Sequence, residues 1–182
     1  MKNILVITSF LFFAVFISCT TVPGKLPEND NTENTVFSDT GVISFQDNDY
    51  LLIGILVDDY QKASEIWSVP DSQGFPRISS TTKIKRDEPI TLFLVYSTKK
   101  SVINMTYNFK MLRPDGTFSK NAYNGLEIAK GNSPNALMYK ASQLPTIVFD
   151  ETDAFGKYQI HIAVFDNKIL IKKFIMEFNL IE

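Results

Sequence analysis

The sequence predicts an all-β chain: an antiparallel β-sandwich of about seven to eight strands with one short helix, placed after an amino-terminal leader and a flexible tether. Three observations carry this reading. Ile103 to Met111 alternates without a break, with Ile103, Met105, Tyr107, Phe109 and Met111 set against Asn104, Thr106, Asn108 and Lys110. That period of two places one face in a core and the other in water. Short apolar runs recur at close spacing with Gly, Pro, Asn and Asp between them, the texture of an all-β domain. Only Tyr60 to Val69 has helical spacing, with Tyr60, Ala63, Ile66 and Trp67 on one side.

The leader comes first in the chain. Lys2 gives a positive start, and Ile4 to Ile17 is an almost unbroken apolar run. At about 14 residues it is short of the roughly 20 that a membrane-spanning helix needs. A charged start, a short apolar stretch and a small residue at its end are the parts of a secretory signal peptide. The run closes on Phe16-Ile17-Ser18-Cys19, and Cys19 is the single cysteine of the chain. This resembles a bacterial lipobox, with Phe where Leu is commoner. The resemblance implies cleavage between Ser18 and Cys19, a lipid thioether on Cys19 and an acylated amino terminus. Two or more acyl chains are what stable anchoring requires. The next residue is Thr20 rather than Asp, which by the same resemblance implies sorting to the outer membrane, facing the periplasm or the surface.

Cleavage there divides the chain into a signal peptide (1–18), a lipidated amino terminus with a flexible linker (19–40) and a single domain (41–182). The linker expectation rests on Pro23, Gly24, Pro27 and the polar run from 28 to 35, which has little apolar surface to set against ordering entropy. Loss of Lys2 takes the formal charge from −2 to −3. No basic excess and no basic run point to nucleic acid or to a charged membrane contact. Four of the fifteen phenylalanines lie in the leader; the rest, with the tyrosines and aliphatics, suffice for a core.

Within the domain, Val42 to Phe45 reads as a first strand. Tyr50 to Val57 reads as a second, apolar on both faces and therefore central. The helix follows, and Pro70, Gly74 and Pro76 break regular structure after it. Ile78 to Arg86 reads as an exposed strand, and Ile90 to Tyr96 as another buried one. After the alternating strand, Arg113-Pro114-Asp115-Gly116-Thr117 is a strong hairpin turn, because Pro presets φ and Gly accepts a positive one. Leu126 to Ala129, Leu137 to Tyr139 and Thr146 to Phe149 are shorter strands. Lys157 to Phe165 and Ile169 to Ile181 pair as the longest hairpin, turning at Asp166-Asn167-Lys168. Lys172-Lys173 interrupts the second of these, which marks a bulge or an edge.

One corner is diagnostic. Asp153, Gly156 and Tyr158 precede the penultimate strand, and Asp166 ends it. With Pro114, Asp115 and Gly116 upstream, this resembles bacterial immunoglobulin-like domains of the polycystic-kidney or macroglobulin type, and a group of small envelope lipoproteins. The resemblance spans roughly residues 90 to 182. It implies an immunoglobulin-like sandwich whose Tyr158 hydroxyl bonds back across the corner. Ile160 stands where an antibody domain has its second cysteine, which implies packing without a disulfide. It implies no activity.

Chemistry is sparsely supplied. His161 is the only histidine and lies in mid-strand; a Ser-His-Asp site needs a nucleophile beside it, and zinc needs several His or Cys ligands. Asp150, Glu151 and Asp153 are weak calcium candidates, lacking a full ligand spacing. No cofactor motif is present. Trp67 on the helix could stack on a sugar or meet a partner, although such a helix more often closes an open end of the sandwich. His161 and Phe165 on the outer face of the last hairpin form a second possible partner surface. The expectation is a membrane-anchored, non-enzymatic binding or scaffold module of the cell envelope, partnered by the membrane through its lipid and by another envelope protein. The alternative is a carbohydrate-binding module or the accessory subunit of a hydrolase, recognised by a cleft holding Trp67 and two carboxylates.

Overall fold

A computed structural model of the chain describes residues 34–68, 78–132, 139–140 and 145–182. The chain divides into two compact units, Met1–Asp30 and Asn31–Glu182, and every described residue lies in the second. Ser18 and Cys19 lie outside the described residues.

The described residues form eleven strands and one helix: β1 (Thr35–Ser38), β2 (Val42–Gln46), β3 (Tyr50–Val57), α1 (Tyr60–Ser68), β4 (Lys83–Lys85), β5 (Pro89–Thr98), β6 (Val102–Leu112), β7 (Tyr123–Asn132), β8 (Tyr139–Lys140), β9 (Thr146–Val148), β10 (Gly156–Asp166) and β11 (Ile169–Ile181). They make two sheets. One has the order β1-β11-β10-β6-β7, with β4 also on β11; the other has the order β2-β3-β5-β8, with β9 also on β5.

The second sheet is antiparallel throughout. The first is mixed, because β1 and β4 both run parallel to β11. This corrects the expected antiparallel immunoglobulin-like sandwich of seven to eight strands: the chain builds a two-sheet β fold with one mixed and one antiparallel sheet. The physical reason is range. Antiparallel neighbours are announced by short turns between consecutive strands, whereas β1 and β4 join β11 across more than eighty residues of intervening chain. The two short strands lie in series on one edge of β11, β1 against Lys173 to Met176 and β4 against Asn179 to Ile181. Thr35–Ser38 thus takes up a rung of the sheet inside the segment read as linker.

Alternation sets the core. The buried residues of β6, β10 and β11 are Ile103 to Met111, Tyr158 to Val164 and Phe174 to Leu180 at every second position. They meet Ile43, Leu52, Leu56, Leu92 and Leu94 from the antiparallel sheet in one cluster. Fully burying a side chain of this size contributes about 1.5–3 kcal/mol relative to exposure. The bulge expected near Lys172-Lys173 is present as a register shift that leaves Ile171 unpaired between Leu170 and Lys172.

α1 begins at Asp59, whose Oδ1 accepts the Lys62 amide at 2.8 Å in an N-cap. Its apolar side does not close an end of the fold, as expected from its sequence. It lies on the outer face of the antiparallel sheet, where Ala63, Val57, Phe93 and Val95 form a second, smaller core. This accounts for β3 and β5 being apolar on both faces. Ile78 to Arg86, expected as one strand, contributes only the three residues of β4. Leu126 to Ala129 is the middle of a longer β7.

Candidate functional site

The outer face of the mixed sheet is built by register. Along β10 the side chains not buried are Lys157, Gln159, His161, Ala163 and Phe165. Pairing aligns His161 with Ile175 of β11 and Lys110 of β6, and Ile175 with Phe37 of β1. A row Phe37-Ile175-His161-Lys110 therefore crosses four strands on one face. Phe37 is 54% exposed.

A polar ladder runs beside this row. Lys157 Nζ lies 3.0 Å from Glu177 Oε2, and Gln159 Nε2 donates to Glu177 Oε1 at 2.8 Å. Gln159 Oε1 is thus the acceptor toward His161 Nε2, 3.1 Å away, so His161 carries its proton on Nε2. Phe118 from the loop after β6 stands edge-on to the imidazole at 5.3 Å between centroids. The same ring has Lys110 Nζ 4.2 Å from its centre, a cation–π contact. Burial, and then the charge of Lys110, hold the His161 imidazole below its ordinary pKa. His161 is neutral at pH 7, half-covered by Phe118, and engaged by its neighbours.

Positive charges outnumber negative ones on this face. Lys83 and Lys85 lie opposite Asn179 and Ile181, Lys130 opposite Asn104, and Lys173 opposite Ala163. With Lys110 and Lys157 that makes six lysines, all exposed, against two glutamates, Glu127 and Glu177. The face thus carries a surplus of four positive charges on a chain whose formal net charge is −2. No basic run exists in the sequence; the fold assembles the patch from five strands.

Of the two surfaces proposed from sequence, His161 and Phe165 do share this face, Phe165 lying one turn-end away opposite Thr106 and Leu170. Trp67 does not join them. It packs on Phe93 at 6.1 Å, with Tyr60 on the same ring at 5.7 Å. Among the described residues, a small opening of about 150 Å³ lies away from Trp67, between Phe109, Met111 and Tyr123 and the strand Thr146–Val148, with no carboxylate in its lining.

The corner motif is a local brace. Tyr158 donates its hydroxyl to the Ala154 carbonyl at 2.8 Å, while its ring stacks on Phe178 and tilts against Phe149. Gly156 has φ of +134° and sits against Pro114, so the Pro114-Asp115-Gly116 turn and the corner touch. In that turn Asp115 Oδ1 accepts both the amide and the hydroxyl of Thr117. Of the calcium candidates, Asp150 and Asp153 are bonded within their own loop, and Glu151 is exposed. Asp150 Oδ1 accepts from the Thr152 amide and hydroxyl, and Asp153 Oδ2 from the Asp150 amide. The Thr152 hydroxyl and amide hold the Asp150 carboxyl below the usual range. Among the described residues no three metal-binding side chains converge.

One buried polar cluster has no counterpart in the sequence reading. Tyr50 of β3 donates to Asp166 Oδ2 at 2.6 Å, clasping one sheet to the other. Asp166 Oδ1 accepts from the Asn104 amide and from Asn167 Nδ2, and Lys100 Nζ lies 3.5 Å from Oδ2. Burial would raise the Asp166 carboxyl, but the bonds from Tyr50 and Asn104 and the charge of Lys100 outweigh it and hold it low. Burial and the bond to Asp166 push the Tyr50 phenol up to about 12. Both oxygens of Asp166 are satisfied, so the cluster is a clasp between the sheets.

No family model matches the chain, and no curated protein matches it. Among solved structures, it is similar to an alkylpurine DNA glycosylase of Pseudomonas fluorescens, bound to DNA containing an abasic site analog. That match has 13% identity and a TM-score of 0.38, over 56% of this chain and 28% of that one. It is also similar to a family 123 glycoside hydrolase of Clostridium perfringens, at 13% identity and a TM-score of 0.41, over 72% of this chain and 27% of that one. The chain spans little more than a quarter of either.

Proposed function

We propose that the chain is a lipid-anchored protein of the bacterial cell envelope, most simply at the outer membrane, and that it acts as a non-enzymatic binding or scaffold module. The observation that carries the reading is Phe16-Ile17-Ser18-Cys19 at the end of a short apolar leader, with Cys19 the only thiol in the chain. The working surface is the outer face of the mixed sheet. In support, Phe37 and Phe118 stand out from it at 54% and 47% exposure, on the face that also carries the lysines. A non-enzymatic role is supported by His161, whose Nε2 is committed to Gln159 and whose ring is covered by Phe118. It is a structural member of the face rather than a poised base.

Metabolic labelling with radiolabelled palmitate tests the anchor. Label should enter the wild-type chain and be lost in Cys19→Ala; equal labelling of the two would overturn the reading. Purification of the lipidated protein with cross-linking then tests the module. A recurrent protein partner supports a scaffold, and an isolated protein under all conditions argues against one.

A further inference from the structure

We propose that the outer face of the mixed sheet is a membrane-docking surface: its lysines meet the phosphates of anionic lipid headgroups while Phe37 and Phe118 enter the interfacial layer. The proposal rests on the lipid-anchor reading and says what the working surface of that module binds. Charge complementarity is the first argument. Six lysines and two glutamates occupy this face, and Glu177 is already paired with Lys157, so the face is a cationic plate on an otherwise acidic chain. Anionic headgroups attract such residues within about a Debye length of the bilayer.

The second argument is the length of chain and where it ends. Fifteen residues separate Cys19 from Thr35, where β1 begins. Fully extended they reach at most about 50 Å, and they deliver the chain to the edge strand that carries Phe37 on this face. The covalent link to the bilayer therefore enters beside the cationic plate and keeps it in continual reach of headgroups. The mixture of groups is the third argument. Long lysine stems can lie along an apolar surface with their charges at phosphate level, and the exposed rings of Phe37 and Phe118 between them suit the boundary between headgroup and acyl chain. A soluble protein partner of opposite charge would also fit the lysines, but it would not be held at this edge by the chain itself.

The test uses the mature lipidated protein in vesicles, with an introduced thiol as the only one, since Cys19 is acylated. Asn179→Cys, exposed on this face opposite Lys157 and Lys83, reports the proposed face, and Glu65→Cys on the exposed side of α1 reports the rest of the surface. Flotation with the vesicles reads the anchor, and the rate of maleimide–polyethylene glycol labelling reads the face. On vesicles containing phosphatidylglycerol, Asn179→Cys should label about fivefold or more slowly than on pure phosphatidylcholine, with the difference removed by about 0.5 M salt. Glu65→Cys should label alike on both. Adding Lys85→Glu and Lys173→Glu to the reporter should restore its rate. Flotation with equal labelling of Asn179→Cys on both lipids would overturn the docking surface and leave the anchor standing. Slowing that requires an added soluble polyanion, and not the charged lipid, would overturn it too. Failure to float would overturn the anchor reading and this proposal with it.

Discussion

Removing one hydroxyl from the clasp between the sheets should cost the domain a measurable part of its stability. In Tyr50→Phe the ring stays in place, 7% exposed in the wild type, and the 2.6 Å bond to Asp166 Oδ2 is lost. A hydrogen bond to a charged acceptor contributes about 1.5–3 kcal/mol. At about 2–4 °C per kcal/mol for a domain of this size, a loss of roughly 2 kcal/mol lowers Tm by about 4–8 °C. Urea unfolding at pH 7 gives the same quantity as a shift in midpoint with unchanged slope. The pH dependence is the sharper assay. Asp166 has its carboxyl held below the usual value in the folded chain, so its contribution is complete above the unfolded pKa of about 4 and is lost as pH falls through the lower folded value. Tyr50→Phe removes one cause of that depression. The gap between wild type and variant should therefore be largest at neutral pH and shrink on acidification below about pH 4. A Tyr50→Phe protein within about 0.5 kcal/mol of wild type at pH 7, or a gap that widens in acid, would refute the assignment of the bond as a clasp on an ionised Asp166.

Three further expectations follow from the corner and the outer face. Tyr158→Phe deletes the bond to the Ala154 carbonyl but keeps the stacked ring, and chemical denaturation should show a loss of about 0.5–1.5 kcal/mol. Gly156→Ala forces a side chain onto a φ of +134° and brings its Cβ within 3.3 Å of Pro114; thermal unfolding should register about 1–3 kcal/mol of strain. Phe118→Ala uncovers His161, whose pKa is lowered first by burial and then by Lys110. NMR titration of this single histidine should show the pKa rising toward its ordinary value. In the wild type the same depression means that stability is full above about pH 6.5 and declines as pH falls through the lower folded value; the decline should be smaller in Phe118→Ala.

How far the fold was legible depended on range. The bounds of β3, the start of α1 and the alternation of β6 follow from local pattern, because each strand or helix announces its period within a few residues. The turn at Pro114 and the bulge beside Lys172 follow from residue chemistry. β1 was not legible. Thr35–Ser38 has one inward apolar residue, Val36, and its strand state comes from β11, far along the chain. The parallel pairings of β1 and β4, and with them the mixed sheet, share that origin. The position of α1 had a readable signal, since β3 and β5 are apolar on both faces and something must cover the outer one. The candidate face illustrates the same limit. Its lysines are scattered singly from residue 83 to residue 173, and only the register shows that they stand together. The Tyr50 to Asp166 clasp spans 116 residues; Asp166 closes a recognisable strand motif, but nothing local pairs it with Tyr50.

The two short strands in series on β11 also bear on how copies of this chain behave toward one another. β11 is thirteen residues long and rich in Ile, Leu and Phe, and such a strand with a bare edge is a template for intermolecular pairing and amyloid-like growth. β1 and β4 act as two shutters over most of that edge, and Lys172 and Lys173 place charges where the first begins. Proteolysis after Ser38 would open one shutter and expose the backbone of Lys173 to Met176. Light scattering after limited cleavage should then show aggregation that the intact chain resists, and a clear solution would show that the edge is protected by other means.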